Sequence, residues 1–350
     1  MKRLGFLLSL LLPLAAPLAL LNAHVTGWVA MFSWTPVFFA FGLLPVVDAL
    51  VGIDTRNPSE AQVKQLMNDR FFPLLTFLVV PLQVMSLLVC GWAFIAGVGG
   101  WPGQLGFLVS AGVISGSTAI TTAHELIHKP GKWAQRAGSA LLATVCYATF
   151  KPEHLYGHHR HVATPEDGST AFRGETVYAF IARSLWHNPV RGFRLAAEHL
   201  RRRGLPVVSR HNDLIGWSAL SVLLLGVSAW VAGWLGALFF VGQAFIAICL
   251  LEIINYVEHY GLMREKMANG RYERVSPRHS WNANHLVTNL FLFHLQRHSD
   301  HHANGARPYQ SLRHFDESPQ LPFGYATAVL AALVPPIWFR VMDTRLDAQP

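Results

Sequence analysis

The chain alternates between long uncharged apolar stretches and segments crowded with basic residues and histidine. Segments near 4–22, 27–50, 72–98, 104–123, 214–234 and 237–257 run almost without Lys, Arg, Asp or Glu. Each is close to the roughly 20 residues a helix needs to cross a bilayer. The pattern predicts six transmembrane helices. The polar stretches 129–213 and 261–350 predict a helical cap outside the bilayer, so the expected fold is an all-α integral membrane protein with a single domain over 1–350. The first segment, "MKRLGFLLSLLLPLAAPLALLNA", begins like a signal peptide with Lys2 and Arg3. Its apolar run is longer than a signal core and a second span follows at once, so it reads as a retained anchor.

Composition agrees with this layout. Of 350 residues 52% are hydrophobic and 14% charged, against roughly 25% charged in soluble domains. With the N-terminus inside, the outer loops near 23–26, 99–103 and 235–236 contain no Lys or Arg, and all 28 basic residues fall on the cytoplasmic side or at its interface. That asymmetry fixes the orientation. It also accounts for the net charge of +8, so nucleic-acid binding is not called for. Docking of an acidic soluble partner is a second use of that charge, with Arg201, Arg202 and Arg203 as the densest cluster. Cys90, Cys146 and Cys249 are scattered in apolar sequence and form no CxxC, which fits buried small hydrophobes better than disulfides or an iron-sulfur module.

Eighteen histidines are present, and all but one fall in the cytoplasmic regions or at the inner ends of the spans. Four groups stand out. In "TAHELIHKPG", His124 and His128 are i and i+4 and share a helix face. This is also an HExxH string, so a zinc peptidase with Glu125 as general base is a rival reading. In "KPEHLYGHHRHVATPEDGST", His154 and His158 repeat the i, i+4 spacing while His159 turns to the neighbouring face, toward a second ion; His161 lies off the pattern. His259 closes the sixth span, with Glu258 beside it to orient an imidazole. In "LQRHSDHHAN", His298, His301 and His302 share one face if helical, and Asp300 is placed to accept a ring N–H.

Together the groups supply nine histidines. One zinc ion takes about four ligands, so nine point to two ions with four or five each. Imidazole suits iron, copper, nickel and zinc alike, and the chemistry must choose. A metal pair at the inner mouth of a helix bundle meets cytoplasmic reductants on one side and lipid-borne substrates on the other: alkanes, alkyl aromatics, acyl chains or sterols. An inert hydrocarbon has no leaving group and no acidic proton, so only oxygen activation by a redox metal can attack it. Iron fits and zinc does not. A metal sensor or transporter would instead place ionisable residues along the spans. Glu252 is one such residue, either functional or simply hydrogen-bonded between helices. Ala40, between Phe39 and Phe41, reads first as helix packing and second as a gap in an aromatic wall.

The residues around the histidines separate the membrane di-iron enzymes from one another. "HELIHK" (His124 to Lys129), "EHLYGHH" (Glu153 to His159), "NYVEHYGL" (Asn255 to Leu262) and "LQRHSDHH" (Leu295 to His302) together resemble the bacterial alkane 1-monooxygenases, the integral membrane alkane hydroxylases. The likeness extends to "DALVGIDTRNPSE" (Asp48 to Glu60), "HSWNANHLVTNLFLFH" (His279 to His294) and "RPYQSLRHF" (Arg307 to Phe315), so it covers nearly the whole chain. The resemblance implies two iron ions, O2 as co-substrate, and conversion of medium or long n-alkanes to 1-alkanols in hydrocarbon degradation. It further implies electrons from rubredoxin, here expected as a separate chain, supplied by rubredoxin reductase, and a site facing the cytoplasm from the bacterial inner membrane. All nine pattern positions are histidine, which carries iron ligation to His124, His128, His154, His158, His159, His259, His298, His301 and His302. Supporting roles are expected for Glu125, Glu153, Glu258, Asp300, His285 and His294. The alternatives are a xylene-type methyl hydroxylase and an acyl desaturase.

Overall fold

In the computed structural model, which describes residues 2–349, the apolar blocks become helices. In chain order these are α1 (Arg3–Ala23), the shorter α2 (Thr35–Val51), α3 (Phe71–Ile95) and α4 (Gly100–Ile127). They are followed by α5 (Lys132–Thr144), the amphipathic α6 (Val177–Arg202) and the 47-residue α7 (Asp213–His259). The short α8 (Leu286–Phe291) and α9 (His298–Ala303) come next, then α10 (Tyr325–Ala332) and α11 (Pro335–Asp347), which are bent by 119° at their junction. No β-strand forms among the described residues, only three isolated bridges. Four helices, α1, α3, α4 and α7, are long and apolar enough to cross a membrane, and α10 with α11 would make a fifth if the bent pair is one span.

α7 is not a single rod. Ala232 and Gly233 leave helical backbone geometry, Gly233 at φ 60°, which glycine tolerates without strain. A methyl group added at Gly236 would lie 2.0 Å from the Ser228 carbonyl oxygen, although eight residues of straight helix would separate the two by about 12 Å. The chain therefore folds back at Gly233, giving α7 two apolar arms. The apolar stretch 27–50 is interrupted as well. A first turn at Val29–Phe32 stops before Thr35, and α2 contains a π-helical turn at Phe39–Leu43.

Small residues and buried polar bridges hold the helices at fixed register. Gly112 and Gly116 on α4 leave no room for a side chain against Ile246 and Leu250 on the second arm of α7. That is the close backbone approach expected between helices in lipid. Gln83 on α3 donates to Ser115 on α4 at 2.7 Å, Ser115 donates to Gln243 on α7 at 2.9 Å, and Gln243 donates to the Thr144 carbonyl closing α5 at 2.9 Å. Each bond satisfies a polar group where no water can.

α6 packs against α7, and α8 packs against the first turns of α1. α6 buries one stripe, including Phe180, Ser184, Asn188 and Gly192, and leaves Tyr178, Trp186 and Phe193 exposed. The fully buried Arg297 donates to the carbonyls of Leu312 at 2.7 Å and Asp54 at 3.0 Å, clamping the loop between α2 and α3 to the segment that carries α9.

Candidate metal centre

Four separate pieces of chain deliver the nine histidines to one place. α4 brings His124 and His128 at its C-terminal end, just after a π-helical turn at Ser115–Ile120. A short helical run over 150–161 carries His154, His158 and His159, with a second π-helical turn at His154–His158. His259 is the last residue of α7, and α9 supplies His298, His301 and His302.

They assemble as two sets whose nitrogens converge. His124, His128, His154, His159 and His301 form one; His158, His259, His298 and His302 form the other; within each set one nitrogen per residue lies within 4.8 Å of all the rest. In the five-histidine set Nε2 of His154 is 2.9 Å from Nε2 of His128 and 3.0 Å from Nε2 of His159, which is 3.0 Å from Nε2 of His301. In the four-histidine set Nε2 of His298 is 3.2 Å from Nε2 of His259 and 2.9 Å from Nε2 of His302. The sets adjoin, the rings of His159 and His302 being 4.6 Å apart.

The partition differs from the one helical periodicity predicts. Spacing puts His154 with His158 and turns His159 away, whereas the structure puts His154 with His159 and sends His158 to the other set. The π-helical turn is the reason. Its bonds run i to i+5, adding a residue per turn, so positions five apart share a face. α9 is likewise divided: His298 and His302, at i and i+4, join one set while His301 joins the other.

The fit to a pair of metal ions rests on the donors themselves. Ligands bound at about 2.1 Å in adjacent positions sit about 3 Å from each other, as these nitrogens do. Nε2 of His124 and Nε2 of His158 are buried with no protein partner, a costly state unless something else satisfies them. Burial, and then the charge of neighbouring imidazoles, holds His154, His298, His301 and His302 well below the ordinary histidine pKa. They are neutral, the form that binds metal. For His158 burial also lowers the value, but the charge and hydrogen bond of Asp167 outweigh it and the pKa ends raised.

Asp167 is the residue sequence reasoning missed. Its Oδ2 lies 2.9 Å from Nδ1 of His158 and accepts from Thr170 Oγ1 at 2.7 Å, all buried. The outer ring nitrogen thus points to a carboxylate and Nε2 faces the centre, the usual bracing of a metal-binding histidine. The only signal was the turn-forming "PEDGST" nine residues downstream.

The expected supporting carboxylates are placed differently. Asp300 bonds to no histidine. It pairs with Arg307 at 2.6 Å and accepts from the Arg313 backbone N–H at 2.7 Å, locking the loop after α9. Glu125 pairs with Lys129 and accepts from the Tyr309 N–H, bracing the inner end of α4. Glu258 reaches not its neighbour His259 but Nε2 of His298, at 3.2 Å. Glu153 is buried 3.8 Å from Arg191 and touches no histidine ring by a hydrogen bond. His294 is buried, donates from Nδ1 to the Tyr309 carbonyl at 2.9 Å and packs edge-on against Phe6. His285 is half-buried and lies outside both sets, as does His161, which pairs with Glu166 at 2.8 Å. Glu252 takes the hydrogen-bonded reading, accepting from Tyr147 at 2.9 Å and Asn255 at 3.1 Å.

Access to the two sets is unequal. All four histidines of the smaller set are buried, while His128 and His159 of the larger are half-buried, His159 beside Gly305. A narrow apolar cavity lies between α2, α4, the second arm of α7 and α10, with Ala40, Gly116, Leu250 and Val329 in its wall. Its lining residues Thr121, Leu292 and Leu295 also line a small space that ends on His124 and His301. Thr121, Leu292 and Leu295 are thus shared between the walls of the apolar cavity and of the small space beside the five-histidine set.

The chain matches the fatty acid desaturase family over residues 99–329, a range that includes all nine histidines. It is 47% identical to alkane 1-monooxygenase 2 of Pseudomonas aeruginosa, over 99% of this chain and 93% of the relative. Alkane 1-monooxygenase 1 of the same organism is 49% identical, over 99% of this chain and 91% of the relative. The xylene/toluene monooxygenase hydroxylase component of Pseudomonas putida is 28% identical over 68% of this chain and 63% of its own length.

Proposed function

Because the chain belongs to the alkane 1-monooxygenase family, within the membrane fatty acid desaturase superfamily, we propose that it hydroxylates the terminal methyl of medium- or long-chain n-alkanes. The reaction consumes O2, two electrons and two protons and yields a 1-alkanol and water. The observation that carries the proposal is the convergence of nine histidines in two adjoining sets, with an apolar cavity that shares Thr121, Leu292 and Leu295 with the space beside His124 and His301.

The nine histidines would hold two irons, five on one and four on the other. When bound, the irons supply O2 activation and the oxidising power that removes hydrogen from an unactivated carbon. The chain's own residues do the rest. The cavity wall offers a hydrocarbon dispersion contact and excludes water from the reacting end. Narrowness at Thr121, Leu292 and Leu295 lets a chain end approach but not a chain middle, which favours the terminal methyl. Asp167 keeps the His158 lone pair aimed inward.

In the proposed topology six spans cross the bacterial inner membrane, and the cap, 129–213 and 261–350, faces the cytoplasm. Supporting the count, 47 residues of helix would reach about 70 Å against a hydrocarbon thickness near 30 Å, and α7 folds back at Gly233. Supporting the depth, Trp28, Trp101, Trp230 and Trp234 are exposed at the expected outer ends and Trp133 and Trp186 near the inner ends. Electrons come from a separate rubredoxin and its reductase, entering beside the half-buried His128 and His159.

The test is oxidation of n-octane, n-hexadecane and p-xylene by membranes containing the protein, rubredoxin and rubredoxin reductase. 1-Octanol and 1-hexadecanol are expected. Oxidation of p-xylene alone would favour the xylene-type reading, and alkenes from acyl chains the desaturase reading; either result overturns the proposal.

A further inference from the structure

Beside the foot of α7 is a polar cavity of about 230 Å³ with Lys151, His199, Arg203 and His211 in its wall and Asp213 as its one carboxylate. The Lys151 side chain is largely buried, and its distance to the solvent-exposed Asp213 is 3.8 Å, beyond a good hydrogen bond. Tyr156 stacks on His199 with ring centres 4.7 Å apart, stiffening that wall. The cavity thus carries more positive than negative charge and suits an anion.

Sharing Ala148 with it is a second cavity of about 340 Å³ between α6 and α7, lined by Leu185, Pro189, Phe193, Val222, Leu225 and Ile248. This one is apolar and opens to the outside: Val222 is 69% exposed and the neighbouring Trp186 78%. Nine residues of helix separate Val222 from Asp213, about 14 Å, so the apolar cavity lies well below the polar one along α7.

We propose that the two cavities form one site for an anionic phospholipid of the inner leaflet. The phosphate sits between Lys151 and Arg203, and one acyl chain lies along Phe193 and Val222. A charged recess beside an exposed apolar groove suits a molecule with both parts joined, and a soluble anion would fill only the recess. The site rests on the reading that α7 crosses the membrane. It lies outside both histidine sets and the substrate cavity.

Binding of dioleoyl phosphatidylglycerol, dioleoyl phosphatidylcholine and inorganic phosphate to the full-length protein in detergent, followed by native mass spectrometry, tests it. The wild type is expected to bind phosphatidylglycerol about tenfold or more tighter than phosphatidylcholine, the order expected from two basic groups at an anionic headgroup. Arg203→Ala with Lys151→Gln removes the preference, and Val222→Trp weakens phosphatidylglycerol binding. Because Lys151 is largely buried, Arg203→Ala alone serves as the check that folds regardless, and it should lose part of the preference. Equal binding of the two lipids, a preference that survives both charge variants, or displacement by inorganic phosphate regardless of acyl chain would overturn the proposal. Alkane oxidation is measured in parallel and should be unchanged in Val222→Trp. Its absence in the wild type would sink the functional reading and leave the lipid site standing. Labelling of Gly233→Cys from the outer side checks the span itself.

Discussion

Replacing Asp167 by asparagine isolates one contact of the proposed iron site. The carboxylate Oδ2 takes both the His158 N–H, at 2.9 Å, and the Thr170 hydroxyl, at 2.7 Å, while Oδ1 takes the Ser169 N–H at 3.3 Å and faces Arg191 at 3.9 Å. Asparagine keeps the shape but cannot serve both sides. If its oxygen faces His158, its NH2 meets the Ser169 N–H and Arg191, donor against donor. If its NH2 faces His158, Nδ1 must accept and the proton moves to Nε2, where it blocks the lone pair. Either arrangement strands buried donors at about 1–3 kcal/mol. Loss of such bracing typically lowers metal affinity by about 10–100-fold, or roughly 1.4–2.7 kcal/mol. The assay is iron per chain after dialysis against a graded chelator, with thermal unfolding to check the fold. Wild type is expected to retain two irons; Asp167→Asn should lose one at a chelator concentration that leaves the other in place, as should His158→Ala. Two irons with unchanged chelator resistance in the folded variant would refute the reasoning.

Ala40→Trp fills the far part of the substrate cavity and should abolish n-hexadecane oxidation while n-octane is still turned over, seen by gas chromatography of the alcohols. Stripped protein should regain activity with ferrous iron and none with zinc, which has no redox chemistry; recovery with zinc would restore the peptidase reading. Arg297→Met leaves two buried carbonyls without their donor and should cost about 2–5 kcal/mol, read as a fall in the thermal midpoint. Burial, aided by the charge of Arg297, pushes His294 down to about 3 from 6.5. Its contribution to stability is therefore complete above about pH 6.5 and lost as pH falls toward 3; the thermal midpoint of His294→Gln should fall less over that window.

Much of the site was legible because its signals are local. Nine histidines at helical spacings gathered at one end of apolar segments can be read without a fold, and the count divides into four and five on simple ligand arithmetic. The partition could not be read. The segment over 154–159 looks like an ordinary helix, and only the i to i+5 bonds of its π-helical turn put His159 in place of His158. Carboxylates adjacent in sequence misled for a related reason. Glu125 and Asp300 sit beside ligand histidines, yet helix geometry turns them toward Lys129 and Arg307, while the loop return after 161 brings Asp167 to His158. The turn within α7 fell at Ala232 and Gly233, just before the expected 235–236, because the left-handed conformation there suits glycine.

By itself the sequence determined the length and polarity of the apolar segments, hence the layout along the chain, and the identity of every proposed iron ligand. Both follow from properties a residue has regardless of its neighbours in space: hydrophobicity and donor chemistry. Tertiary structure decided which histidines converge, which carboxylate braces His158, and where an apolar cavity lies beside them. Those depend on how α4, α7 and α9 pack against one another, and a packing angle or one extra residue in a helical turn is not written in any single stretch of the chain.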